Sequence, residues 1–226
     1  MILKKITALI PAYNEEKFIF DTVQALLHIP EVSEIIVIDD ASIDKTADLA
    51  CQAGATVISL QSNLGKGGAL NQGAAEASGD IIALVDGDLG SSAVEVAKLI
   101  APILTGAADM TIARFPKARK TGGFGLVKSL ARSGIKWYTG LETMAPLSGQ
   151  RVMTRQVVDF LGRFESGYGV EVGMTIDVVR KGFRVMEVEA NMTHAETGRD
   201  VRGFLHRGRQ FVHVARVLAK RLLVRR

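Results

Sequence analysis

Two carboxylates stand one residue apart in ALVDGDLG: Asp86 and Asp88, with Gly87 between them. Like charges at that spacing repel unless something positive lies between them. A divalent cation such as Mg2+ is held by carboxylate oxygens of this kind. The competing reading is a polar turn, for which Asp-Gly is a common pair. At the end of an extended strand the two acids would point to one side. Three other apolar runs also end in polar residues: Pro11 to Glu16, Asp39-Asp40, and Asn63 to Gly68. If those runs are parallel strands, all four arrive at one sheet edge, outside the strands' carboxyl ends, where open α/β sheets bind ligands. That convergence weighs against the turn reading.

The elements that must deliver these residues alternate. Apolar runs of strand length cover 6–12, 34–40, 56–60, 80–86 and 108–114. Helical patterns lie between them at 16–29, 44–55, 65–78 and 92–104, the last opened by a capping-box pair, Ser92 and Glu95. Continuous apolar strands separated by helices predict a mostly parallel sheet covered on both faces, a doubly wound α/β architecture. The second half is less regular. RFPKARKTGGFG (114–125) reads as a basic loop, PLSGQRVM (146–153) as a turn and a strand, GYGVEVGMTIDVVRKG (167–182) as a helix, and FRVMEVEA (183–190) as a strand.

Charge and cysteine content narrow the function classes. The 226 residues carry a net charge of +4 and one cysteine, Cys51, which leaves no disulfide framework and no cysteine zinc site. A reducing, cytoplasmic setting is expected. No run approaches the roughly 20 apolar residues of a membrane span. Aromatics are 6% of the chain and no nucleic-acid-binding module is recognisable, so nucleic acid is not an expected partner. From Arg199 onward there is a single acid, Asp200, and the tail reads as a basic amphipathic helix. One reading packs it on the domain or on a twin subunit in a homodimer. The other lays it on an anionic inner membrane face.

Taken in order, PAYNEE, IIVIDDASIDKT, NLGKGGALNQG and GDIIALVDGDLG resemble the nucleotide-diphosphate-sugar glycosyltransferases of the GT-A fold, family-2-like. PLSGQRVM and GYGVEVGMTID further resemble the glucosyl-3-phosphoglycerate synthases. The resemblance implies a GT-A domain over 1–200, with a nucleotide-sugar half (1–114) and an acceptor half (115–200), followed by the helical tail at 201–226. It implies a hexose donor, UDP-glucose ahead of GDP-mannose, a Mg2+ or Mn2+ cofactor, and an anionic, phosphorylated acceptor. Pro11, Ala12, Tyr13 and Glu16 would frame the nucleoside, and Asp39 or Asp40 would contact the base. Gly65 and Lys66 would meet the base or diphosphate at a helix N-terminus. Asp86, with Gly87 beside it, would touch the ribose or a metal-bound water. Asp88 would ligate the metal, with His194 as a further ligand. Ser148, Gly149 and Gln150 would bind sugar hydroxyls, and Glu171 would act as base or orient the sugar.

Several alternatives stay open at this level. Where the synthases carry an acceptor-binding arginine after a glycine pair, TGGFG places Phe124; Lys117, Arg119 or Lys120 would then compensate, with Gly123 beside them, or the acceptor differs. A polyprenyl-phosphate sugar transferase shares the first half of the pattern. A sugar-nucleotide-binding scaffold without turnover would keep the same acids. A nucleotidyltransferase would open with a glycine-rich loop where this chain has PAYNEEK, and GKGG lacks the spacing of a Walker motif. Retention and inversion of the anomeric centre are both compatible with these residues.

Overall fold

The computed structural model describes residues 4–115, 125–165, 169–193 and 201–223, with side chains in the last stretch over 210–222. The elements are β1 (Ile6–Ala12), α1 (Ile19–Leu27), β2 (Val32–Asp39), α2 (Thr46–Gln52), β3 (Thr56–Ser59), α3 (Gly65–Glu76) and β4 (Ile81–Leu84). A 3-10 helix (Gly90–Glu95) leads into α4 (Val96–Leu104), β5 (Met110–Arg114) and α5 (Leu126–Thr139). The chain then forms β6 (Arg151–Thr154), α6 (Arg155–Leu161), α7 (Val170–Arg180), β7 (Val185–Glu189) and α8 (Val201–Leu223). The seven strands lie in the order β3-β2-β1-β4-β6-β5-β7. Pairing is parallel throughout except at β6, which runs antiparallel to both β4 and β5.

Strands β1 and β4, and β2 from Ile35 onward, are buried on both faces, which is why they read as apolar runs. One core packs α1, α2 and α4 on the sheet; a second packs α3, α6 and α7 on the opposite face. Helix α3 is rich in glycine because it lies close to the sheet. A Cβ built at Gly73 would stand 2.5 Å from Ile38 Cδ1. The sheet switches direction between β1 and β4, since β2 and β3 extend one way and the remaining strands the other. In open α/β sheets such a switch point opens the ligand crevice.

Three expectations are corrected. Strand β4 stops at Leu84, so Asp86 and Asp88 belong to the turn that follows it rather than to a strand face. Thr22 of α1 pins that turn: its hydroxyl lies 2.9 Å from the Gly87 carbonyl and accepts the Gly90 N–H at 2.8 Å. The capping box does not form. Ser92 lies inside the 3-10 helix and donates to the Leu89 carbonyl, while Glu95 accepts from Lys98 and from the Asn191 N–H. Helices α5 and α6 fall where the sequence pattern is irregular. Helix α5 is bounded by Gly125 and Gly140, both at positive φ, and it accommodates Gly134 because Leu218 of α8 fills that space.

Helix α8 is an integral element over its described side chains. Val214 is buried in a third core with Ala131, Ile135 and Tyr138 of α5 and with Val172 and Ile176 of α7. Glycines receive it at three points: a Cβ at Gly134, Gly169 or Gly173 would fall within 2.7 Å of Leu218, Val217 or Arg221 respectively. Arg221 is buried and pairs with Asp177 and Glu165. Among the described residues no helix is long and apolar enough to cross a membrane.

Candidate active site

The turns after β1, β2 and β4 and the start of α3 meet at the switch point. Asp40 is buried after β2, and its N–H donates to the Ala12 carbonyl at 2.8 Å. Both of its carboxylate oxygens accept backbone N–H groups at the start of α3, from Leu64 at 2.7 Å and Gly65 at 2.8 Å. Asp40 therefore fixes that helix start. Its neighbour Asp39 accepts the Ser42 N–H with one oxygen at 3.2 Å. The β1 and β2 turns are stitched by Asn14, whose N–H donates to Ser42 Oγ and whose Oδ1 accepts from the Ile43 N–H. Asn14 and Ala41 are the non-glycine residues at positive φ among those described, and both sit on this rim. Such strained backbone clusters at ligand-binding loops. Tyr13 is half exposed above them, and Glu16 lies against the β2 turn, 3.4 Å from the Lys45 N–H.

At the centre is a charged constellation. Lys66 Nζ lies 2.6 Å from Asp86 Oδ1 and 3.4 Å from Glu171 Oε1. Burial alone would lower the lysine pKa, but Asp86 and Glu171 outweigh it and raise it. Asp86 is gripped from the other side by Gln150, which donates to Oδ2 at 2.7 Å and accepts the Asp86 N–H at 2.9 Å. Gln150 thus engages Asp86 with both ends of its amide. Gly149 is the lid on this pair: a Cβ there would lie 2.3 Å from Lys66 Nζ and 2.9 Å from Asp86 Oδ2. Ser148 is buried with its hydroxyl unpartnered among the described residues. Glu171 sits in the first turn of α7, where the helix dipole favours a carboxylate.

Carboxylates also accumulate on the β1 side of the turn. Glu15, adjacent to the expected Glu16, is pushed up to about 7 by burial, then by Asp88, Asp86 and Asp44. Its side chain packs on Gly87, where a Cβ would stand 3.3 Å from Glu15 Cγ. A site where burial, and then neighbouring acids, hold back the ionisation of one carboxylate is one that a cation would relieve. The described residues contain no group of three or more His, Cys, Asp or Glu placed to enclose a metal. The oxygen donors gathered here, Glu15, Asp86 and Asp88, are of the kind a hard divalent cation takes. His194, Lys120 and Gly123 lie outside the described residues, as do Lys117, Arg119 and Phe124. Thr193, the residue before His194, donates its N–H to Ser92 Oγ at 3.1 Å, four residues beyond Asp88.

Sequence reasoning missed Glu15, Asn14 and Arg151. The Glu-Glu pair in PAYNEE offered either acid, and an arginine opening the apolar run RVM was a visible anomaly.

Known proteins carry the same pattern. The family model for glycosyl transferase family 2 matches residues 7–165. The glucosyl-3-phosphoglycerate synthase of Mycobacterium tuberculosis is 31% identical over 198 residues, which cover 77% of this chain and 60% of that protein. The chain thus spans about three fifths of that relative's length. A Methanocaldococcus jannaschii protein of uncharacterised function is 29% identical over 202 residues, covering 85% of this chain and 83% of its own. A crystal structure of the M. tuberculosis synthase with Mn2+, uridine diphosphate and phosphoglyceric acid superposes with a TM-score of 0.83 at 27% identity. It covers 96% of this chain and 78% of that one. The same enzyme has been solved with Mg2+ and uridine diphosphate (TM-score 0.81) and with Mn2+, UDP-glucose and phosphoglyceric acid (TM-score 0.79). With the GT-A sheet and most of its length matched, the chain belongs to glycosyl transferase family 2.

Proposed function

We propose that the protein transfers a hexose from a nucleotide-diphosphate sugar, UDP-glucose first among the candidates, to an anionic, phosphorylated acceptor. The observation that carries this reading is the Lys66–Asp86–Glu171 constellation beside Asp88 at the sheet's switch point. It is supported by the likeness to a synthase solved with UDP-glucose, Mn2+ and phosphoglyceric acid. Residues 1–114 form the donor half in this reading and 115–200 the acceptor half. Tyr13, Pro11 and Ala12 frame the nucleoside. Asp39 meets the base, since Asp40 is committed to the start of α3.

Asp88 would hold the divalent metal, with His194 as the second protein ligand. When bound, the metal offsets the negative charge that grows on the diphosphate as the glycosidic bond breaks. Lys66 adds a fixed positive charge beside it, already held in place by Asp86 and Glu171. Gln150 keeps Asp86 aimed. Glu171 stands at the edge of this group, on the acceptor half, and orients the sugar or takes the acceptor proton.

The test is calorimetric titration of UDP, UDP-glucose, GDP and GDP-mannose, with Mn2+ and with EDTA. Mn2+-dependent binding of the uridine pair, lost in Asp88→Ala while the far-ultraviolet spectrum is unchanged, is expected. Turnover with 3-phosphoglycerate and not with polyprenyl phosphate completes the reading. Absence of metal-dependent binding of any of the four nucleotides overturns it.

A further inference from the structure

We infer that Arg151 is a positioning residue. Its buried guanidinium ties the Ser148–Gln150 turn to the first turns of α7, and so sets where Glu171 stands relative to Lys66 and Asp86. The inference rests on the donor-site reading above. Arg151 opens β6, opposite Leu84 of β4 and Ile112 of β5, and is 1% exposed. Its Nε donates to the Ser148 carbonyl at 3.0 Å. Its Nη1 donates to Thr175 Oγ1 at 2.9 Å, and that hydroxyl donates to the Glu171 carbonyl at 2.8 Å. One planar group thereby spans the two segments that present Gln150 and Glu171.

Stability does not account for it. A buried cation in a sheet core is commonly no better than an apolar side chain of its size, and often worse. Here Nη2 has no hydrogen-bond partner among the described residues, and Nη1 otherwise faces Met110 Sδ at 4.0 Å. The charges that face the guanidinium are Glu171 from α7 and Glu187 from β7. Burial lowers its pKa to about 10, against their opposing pull, so it stays protonated at neutral pH. Glu187 in turn accepts the N–H groups of Met144 and Ala145 and the hydroxyl of Thr143, on the stretch leading into Ser148. Charges of alternating sign therefore run from Lys66 through Glu171 and Arg151 to Glu187. Losing the third member frees both neighbours of the reacting region without touching the nucleoside side.

The experiment compares Thr175→Val, Arg151→Lys and Arg151→Met by calorimetry with UDP and Mn2+, and by UDP release from UDP-glucose with 3-phosphoglycerate. Water serves as acceptor if the phosphoglycerate is refused. UDP affinity should stay within about threefold of wild type in all three, while turnover falls about tenfold in Thr175→Val and about a hundredfold in Arg151→Met. Arg151→Lys, which keeps the charge, should recover part of the loss. Thr175→Val is near-isosteric and decides the matter if Arg151→Met does not fold. A folded Thr175→Val with wild-type turnover, or UDP affinity and turnover falling in step, overturns the inference. A wild-type protein that binds no UDP with Mn2+ removes the donor-site reading instead.

Discussion

Replacing Gly149 by alanine tests the centre of the site with a single methyl group. Gly149 is not at positive φ, so alanine brings no backbone strain there. The new Cβ would stand 2.3 Å from Lys66 Nζ, 2.9 Å from Asp86 Oδ2 and 3.2 Å from Asp86 Oδ1. Ordinary contact needs about 3.5 Å, so the ammonium must retreat by about 1 Å or more. It is the far end of a flexible side chain and can do so, which directs the cost onto the 2.6 Å ion pair and spares the fold. A hydrogen bond between charged groups contributes about 1.5–3 kcal/mol. The Lys66 side chain is 30% exposed, so water returns part of that, leaving a loss on the order of 1–2 kcal/mol. At about 1.4 kcal/mol per tenfold, UDP-glucose affinity should weaken about fivefold to thirtyfold, with the melting temperature lowered by only a few degrees. Calorimetry on Gly149→Ala, Lys66→Ala and the double variant closes the cycle. Once Lys66 is truncated the added methyl should cost markedly less. Wild-type affinity in Gly149→Ala, or an equal cost in both backgrounds, would refute the geometry.

Three further outcomes follow from the structure. Arg221→Ala leaves Asp177 and Glu165 without their shared cation, and should lower stability by about 2 kcal/mol, discounted because both acids are partly exposed. Deleting 201–223 should give a protein that aggregates on heating because Ile135, Val172 and Ile176 are uncovered; a stable, monodisperse truncation would mean α8 is not structural. Glu15 gives a pH signature in the metal-free protein. Its folded-state pKa of about 7 lies above its unfolded value of 4.5, so the folded state holds the extra proton between them. Its contribution to stability therefore falls as pH rises from about 4.5 through about 7. Thermal melts in EDTA should show that decline in wild type and a flatter profile in Glu15→Gln; identical profiles would exclude the proton from Glu15.

Much of this was legible in the chain. Strand β1 has the bounds its apolar run predicts, because a strand buried on both faces leaves a continuous pattern. The convergence of Pro11–Glu16, the acids after β2, Lys66 and Asp86 followed from parallel topology alone. Other features have no local signature. Asp39 and Asp40 are distinguished only by the N–H groups of Leu64 and Gly65, which arrive from 24 and 25 residues away. Gln150 reads as a ligand contact in the sequence, and its grip on Asp86, 64 residues distant, shows only in the fold. Helix α5 was hidden by glycines whose purpose lies at its caps and in α8. In each case the missing information was tertiary.

The four residues of β6 also govern the order in which the sheet can close. Residues 6–84 supply β3, β2, β1 and β4, a parallel block completed from neighbouring stretches of chain. Strand β5 follows next in sequence but bonds only to β6 and β7, so Met110–Arg114 has no place on that block until Arg151–Thr154 docks first. On a ribosome, β5 would emerge and wait through some forty further residues before its partner exists. The late step is the slow one expected for non-local pairing, and it is also the step that carries the Arg151 guanidinium out of water. Slowed folding, with an early half-sheet intermediate, is the kinetic mark this strand order should leave.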